Sequence, residues 1–379
     1  MTIFIVLYLL LFLSTFFERE DVPAFRKKEL LVFWVIIFTF FRGLRWETGT
    51  DWEQYYQVFL TASWDNLFSF ARNSSVSMES GYVLLNVLVK TIGGNYTIFL
   101  LLTNFFVMVA YMKFSLTNSK TPIYIFVLIM FSTQFFPVRI GIAVAVILLG
   151  LCNFSQRKYK RIIAYTLVAA SIHSSAFAFI PVYFFGFFKK VPTKLAVAGA
   201  VMLMIIAQLP FYNGLLVSIA GGLHVLGDEA SHKFETYINY DVTKNSGAII
   251  AFAGIVSNTI FIALLILFGD MIKKQPAYLK TTNVNYDFLF NIYFVFIMIA
   301  IAFPGNNMAG LRRLQNYFMF AFPILFSTFI VYNKKRYPQY AFVYMFAFFF
   351  YVLFRSYSLF FAGHLESNFP YLSVLDNAF

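Results

Sequence analysis

The sequence predicts an all-α fold: a polytopic integral membrane bundle of about twelve transmembrane helices, forming a single domain over residues 1–379. Three observations lead there. Hydrophobic residues make up 60% of the chain and charged residues 12%, against about 25% charged in a soluble domain, and the mean hydropathy is +0.73. Apolar runs close to the roughly 20 residues a spanning helix needs recur along the whole length. Basic residues gather in short loops between those runs, the pattern expected of cytoplasmic loops.

Taken in order, the runs fall at 2–17, 28–42, 97–113, 121–136, 140–154, 161–172, 174–188, 194–209, 247–269, 287–303, 312–332 and 340–361. The first lacks a basic segment before it and a small-residue cleavage site after it, so it is expected to be retained as a helix rather than removed as a signal peptide. Arg19, Arg26, Lys27 and Lys28 follow it. Further basic loops lie around Lys113 and Lys120, Arg157 to Arg161, Lys189 to Lys194, Lys273 to Lys280, and Lys334 to Arg336. Together they hold most of the 29 Lys and Arg residues, and one threading places all of them on the cytoplasmic side. Both termini are then outside, and the outer loops carry most of the 17 acidic residues. The net charge of +12 is thus a topology signal, and no nucleic-acid partner is expected. Residues 161–188 also fit one long tilted helix, and 80–95 a segment that dips into the membrane without crossing. Two larger extracytoplasmic segments, 43–96 and 210–246, mix aromatic and polar residues. The 52 phenylalanines suit a lipid-facing surface or an apolar groove for a polyprenyl tail.

Chemistry concentrates in a few outer segments. Arg42 to Tyr56, RGLRWETGTDWEQYY, begins where the second run reaches the outer face. Its glycines allow tight turns, Arg42 and Arg45 carry forks that match phosphate, and Asp51 can act as a base or orient a hydroxyl. An interfacial loop anchored by Trp46 and Trp52 is the plainer alternative. Glu79 opens a second segment in which Tyr82, Asn86 and Lys90 recur every four residues, a polar stripe on one helical face. Arg139 stands alone between two apolar runs, a costly place for a cation. His173, in SIHSS, is the histidine within an apolar stretch, and imidazole suits proton transfer near neutral pH. Arg312 and Arg313 open the eleventh run on the outer side, against the positive-inside trend, with Tyr317 four residues after Arg313. An anionic partner such as pyrophosphate would offset those cations. His224, His232 and His364 match no zinc spacing, and Cys152 is the single cysteine, so no metal and no cofactor are expected.

These segments carry a family resemblance. RGLRWETGTDWEQYY, ESGYVLLNVLVKTIGGNY, PVRIGIAVAV, SIHSSAFAFIP and GLRRLQNYF, in this order across roughly residues 40 to 320, resemble the EpsG branch of the Wzy-type polysaccharide polymerases. The family's isolated arginine is commonly followed by glutamine, whereas Ile140 follows Arg139 here. The resemblance implies a GT-C-like membrane glycosyltransferase, multi-pass in the bacterial inner (cytoplasmic) membrane. It implies polymerisation of O-antigen, capsule or exopolysaccharide repeat units on the periplasmic face. Donor and acceptor would be undecaprenyl-pyrophosphate-linked glycans, with a chain-length regulator and a flippase as further partners. GT-C enzymes often carry a functional acid in the first large outer loop, where Asp51 sits. Asp51, Glu79 or His173 would serve as base, and Arg42, Arg45, Arg139, Arg312, Arg313 and Tyr317 would bind pyrophosphate. Two other readings are kept: a GT-C transferase using a polyprenyl-phosphate sugar donor, which shares every feature but the donor, and a lipid-linked oligosaccharide flippase, which would instead line a midplane pathway with charge.

Overall fold

A computed structural model describes residues 2–49, 51–68, 78–133, 136, 138–152, 159–182, 189–209, 211–212, 214–216, 218, 248–274, 281–282, 284–303, 309–361 and 371–375. These residues are overwhelmingly helical, as expected. The chain forms two compact units, one built from residues 1–183, 280–284 and 330–379, the other from 184–279 and 285–329.

In the first unit α1 (Thr2–Leu13) ends in a 3-10 turn, and α2 (Ala24–Gly43) follows. Pro23 sits just before α2, where its missing N–H costs nothing. A two-residue strand β1 (Arg45–Trp46), α3 (Trp52–Thr61), α4 (Ser80–Thr91), α5 (Tyr96–Asn118), α6 (Pro122–Ser132), α7 (Arg139–Leu151) and α8 (Tyr159–Ile172) continue the unit. In the second unit lie α9 (Thr193–Ile206), α10 (Ala248–Lys274) and α11 (Tyr286–Ala302). Then come α12 (Ala321–Arg336), α13 (Ala341–Phe361) and β2 (Leu372–Ser373), of which α13 and β2 belong to the first unit.

Two described stretches are long and apolar enough to cross a membrane: Tyr96–Asn118 with 23 residues and Ile255–Lys274 with 20. At about 1.5 Å per residue the first spans roughly the 30 Å hydrocarbon core. Other expected runs appear as shorter apolar helices, among them Thr2–Phe17, Pro122–Ser132, Arg139–Leu151, Thr193–Ile206 and Tyr286–Ala302. The run expected at 174–188 opens differently. His173 is extended, with φ −149° and ψ 108°, and Ser174–Phe179 is a 3-10 turn. Residues 80–95 hold α4 and then a turn through Gly93 at φ +78°. Residues 219–247, most of the second outer segment, lie outside the described residues.

Local chemistry accounts for how the first unit holds its shape. The side chain of Glu18 is buried; it pairs with Lys27 at 2.6 Å and accepts the Ile123 N–H at 2.6 Å, so a carboxylate occupies the N-terminus of α6. Trp34 Nε1 donates to Ser14 Oγ at 2.7 Å, tying α2 to the end of α1. Gly43 permits α2 to meet α5 closely, since a Cβ there would lie 2.9 Å from the Leu101 Cα. In the second unit Asn291 binds both the Val191 N–H at 2.9 Å and the Lys189 carbonyl at 3.2 Å. Tyr293 OH donates to the Phe261 carbonyl at 3.1 Å.

Candidate active site

The start of α4, the start of α7 and the end of α8 converge at Glu79. Glu79 precedes α4 in an extended conformation, φ −71° and ψ 141°, which turns its carboxylate away from its own helix. Its Oε2 accepts from Arg139 Nη1 at 2.7 Å. Its Oε1 accepts the Ser174 N–H at 2.8 Å and the Ser174 hydroxyl at 2.9 Å, and lies 3.2 Å from His173 Nδ1. Arg139 Nη1 also approaches Met78 Sδ at 3.0 Å. The Glu79, Arg139 and His173 side chains are each about one-fifth exposed, so the cluster is shielded yet reachable.

Gly81 makes this convergence possible. A Cβ there would sit 2.5 Å from Ser171 Oγ and 2.6 Å from the Ser171 carbonyl, so only glycine lets α4 close onto α8. The break at His173 then frees the Ser174 N–H to point at Glu79. Burial pushes the Glu79 carboxyl up, but the His173 hydrogen bond, the Arg139 charge and the Ser174 N–H outweigh it and hold the pKa down at about 2. Glu79 is therefore an ionised acceptor at neutral pH rather than a base. An acceptor-only carboxylate requires a His173 proton on Nδ1, and in the neutral imidazole Nε2 then carries the lone pair. In chemical terms this is a base oriented by a carboxylate, with a cation alongside.

Arg42 and Arg45 form a second group. Both are fully buried, at 1% and 2% exposure. Arg42 Nη2 donates to Tyr8 OH at 3.4 Å, and Arg45 lies over the Phe136 ring at 4.6 Å. Arg42 Nε and Nη1 and Arg45 Nε have no hydrogen-bond partner among the described residues, and no carboxylate pairs with either arginine there. Burial pushes the Arg45 guanidinium pKa down. Tyr82 and Tyr96 lie within electrostatic reach of Arg45, and Trp52 packs on Tyr96 at 5.6 Å; all three are buried, and their hydroxyls and indole Nε1 also lack a partner among the described residues. Trp46, Trp52, Tyr56 and Tyr96 pack on one another with ring centroids 4.8 to 5.6 Å apart. Tyr55 and Tyr82, themselves 5.7 Å apart, lie within electrostatic reach of both Arg45 and Arg139.

The expected polar stripe on α4 faces protein. Tyr82 and Asn86 are buried, and Lys90 Nζ donates to the carbonyls of Leu60 and Ala62 at 2.9 and 2.7 Å, closing the C-terminus of α3. Asp51 is half-buried at the N-terminus of α3 with no side-chain capping bond. It shares a helical face with Tyr55, one turn on. No hydrogen bond or ion pair joins it to the Glu79 cluster among the described residues. Arg312, Arg313 and Tyr317 belong to the second unit. Arg312 closes a short helical turn, Ala309–Arg312, Arg313 is exposed at the head of a 3-10 turn, and Tyr317 is buried. Sequence reasoning did not find Ser174 as a ligand of Glu79, although the hydroxyls beside His173 were visible. It also missed the C-terminal strand: β2 pairs antiparallel with β1, Arg45 opposite Ser373 and Trp46 opposite Leu372, and no motif announces that.

A sequence profile of the EpsG family matches residues 28–373. That stretch runs from Lys28, within α2, through β2 and includes the Glu79 cluster and both buried arginines. No curated protein and no solved structure matches the chain.

Proposed function

The chain belongs to the EpsG family, and we propose that it is a membrane glycosyltransferase that polymerises polysaccharide repeat units. In this reading it is a multi-pass, GT-C-like bundle in the bacterial inner membrane. It transfers a glycan from undecaprenyl pyrophosphate to a lipid-linked repeat unit on the extracytoplasmic face. The observation that carries the reading is the junction of Glu79 with His173, Ser174 and Arg139.

The chemistry follows from that junction. His173 Nε2 takes the proton of the acceptor hydroxyl, and Glu79 stabilises the imidazolium that forms. The hydroxyl oxygen bonds to the anomeric carbon as the bond from that carbon to the pyrophosphate oxygen breaks. Negative charge grows on the departing lipid pyrophosphate, and arginine forks aimed at it lower the barrier. Arg139 is already engaged by Glu79, so Arg42 and Arg45, which have no carboxylate partner among the described residues, hold the unneutralised charge. Asp51, on the Tyr55 face of α3, orients the acceptor sugar, and the aromatic side chains of α3 supply stacking surface for it. A role for Arg312, Arg313 and Tyr317 on a lipid pyrophosphate belongs to the same proposal.

Glycan ladders test it. Deleting the gene leaves single repeat units and no polymer; His173→Ala and Glu79→Gln reproduce that pattern, and Asp51→Asn shortens the chains. Absence of even single units in the deletion strain identifies a flippase instead. Full-length polymer in both His173→Ala and Glu79→Gln removes the base assignment.

A further inference from the structure

Arg42 and Arg45 pose a physical problem. Two guanidinium groups taken out of water without a carboxylate cost far more than an apolar pair of the same size. Both are buried, neither has an anionic partner among the described residues, and the buried hydroxyls of Tyr82 and Tyr96 near Arg45, with Trp52 Nε1 beside Tyr96, are able to donate. Donors gathered with two cations that no carboxylate bonds among the described residues suit an anion.

The C-terminal segment lies across the same stretch of chain. Tyr371 stacks on Phe41 at 5.0 Å and 12°, and its hydroxyl donates to the Phe41 carbonyl at 2.8 Å. The Leu372 N–H donates to Thr48 Oγ1 at 3.1 Å, the Val374 N–H to the Leu44 carbonyl at 2.9 Å, and the Ser373 hydroxyl to the same carbonyl at 3.2 Å. Every one of these contacts falls on residues 41–48, which carry both arginines. The Phe136 ring beneath Arg45 is also 6.4 Å from Tyr371. A two-strand ribbon of two residues is marginal on its own. The loop it covers bends sharply, with Glu47 at φ +46° and Gly49 at φ +107°. Gly49 lies against the guanidinium, a Cβ there falling 3.7 Å from Arg45 Nη1.

We propose that Arg42 and Arg45 form a diphosphate-binding pair closed by residues 371–375, a strap that must lift from β1 for the anion to enter. The proposal rests on the polymerase reading only for the source of the diphosphate, the lipid-linked glycan. A membrane headgroup would present related chemistry.

The test uses detergent-purified full-length protein and reads binding rather than polymerisation. Trp46→Cys with Leu372→Cys, in a Cys152→Ala background, places thiols on directly paired strand residues. Thermal unfolding is followed with inorganic pyrophosphate, and separately with phosphatidylglycerol in the micelles. Pyrophosphate is expected to stabilise the reduced protein and to leave the oxidised, cross-linked protein unmoved, with recovery on reduction. An equal shift in both forms overturns the strap. No shift in either form overturns the anion site, and a shift with phosphatidylglycerol alone assigns the pair to headgroups and overturns the substrate assignment. Arg45→Met adds an independent readout. Relief of a buried unpaired charge should raise the unfolding temperature of the anion-free protein while pyrophosphate affinity falls at least tenfold. A variant that instead unfolds at a lower temperature marks Arg45 as a structural residue. Glycan ladders test the polymerase reading separately, so the two failures are distinguishable.

Discussion

Glu79 is the residue on which the candidate site turns, because three of its neighbours depend on its charge. Its pKa, about 2 against an ordinary 4.5, makes it a stabilising group with a definite pH window. A carboxyl whose folded pKa is depressed contributes fully above 4.5 and loses that contribution as pH falls toward 2, about 3 kcal/mol in all by linkage. Thermal unfolding of wild type should therefore steepen below pH 4.5 relative to Glu79→Gln, whose stability lacks this component. Parallel curves for the two proteins would mean that the carboxylate is not held as the geometry indicates. Arg139 gives a second residue-scale expectation. Arg139→Lys keeps a charge beside Glu79 and should fold, but a point charge lacks the planar fork. Polymer yield should fall at least tenfold, measured against Arg139→Ala in the same strain; wild-type chain length in either variant removes Arg139 from the site.

At the scale of elements, the site depends on how closely α4 approaches α8. Gly81→Ala sets a methyl group against the Ser171 backbone, and α4 must move out by several tenths of an ångström. Overpacking of this kind costs about 1–3 kcal/mol, and the displacement also draws Glu79 off Ser174 and His173. Gly81→Ala should thus lose both stability and polymer, while a methyl at Gly199, 3.8 Å from the nearest side-chain atom, should lose neither. Unfolding temperatures and ladders of the two variants decide the matter. Lys90 makes a comparable link, since its ammonium closes α3 by bonding two terminal carbonyls. Lys90→Met removes the ammonium, which also lies 5.9 Å from the Phe59 ring centroid, and leaves those carbonyls open. A cost of roughly 1–2 kcal/mol is expected, read as faster proteolysis within residues 52–68.

For the whole molecule, the basic loops and the candidate site make opposite demands on topology. The Glu18–Lys27 pair and the Lys335–Glu20 pair lie among basic loop residues, whereas Asp51, Glu79, Arg139 and His173 lie among outer segments in the proposed threading. Single cysteines beside Asp51 and Glu79, in a Cys152→Ala background, should label with an impermeant thiol reagent in intact cells. Cysteines beside Lys27 and Lys335 should label only after permeabilisation. The reverse pattern would invert the threading and the mechanism with it.

Composition and periodicity alone established the helical class, because 60% apolar residues in repeated runs leave the backbone few ways to satisfy its own hydrogen bonds in lipid. Residue type alone also nominated Arg139 and His173, since an ionisable group in or beside an apolar run is costly enough to stand out, and the family resemblance added Glu79. Their grouping was not legible. Glu79 and His173 are 94 positions apart, and although the runs 161–172 and 174–188 part at His173, nothing in the sequence shows that the extended break there aims the Ser174 N–H at Glu79. Asp51 illustrates the converse: its motif made it prominent, but the short α3 carries it on the Tyr55 face with no bond to the Glu79 cluster among the described residues. The pairing of β2 with β1 joins Arg45 to Ser373, near opposite ends of the chain. Backbone hydrogen bonds made at that distance depend on where the intervening helices return the chain, and only the tertiary structure decides that.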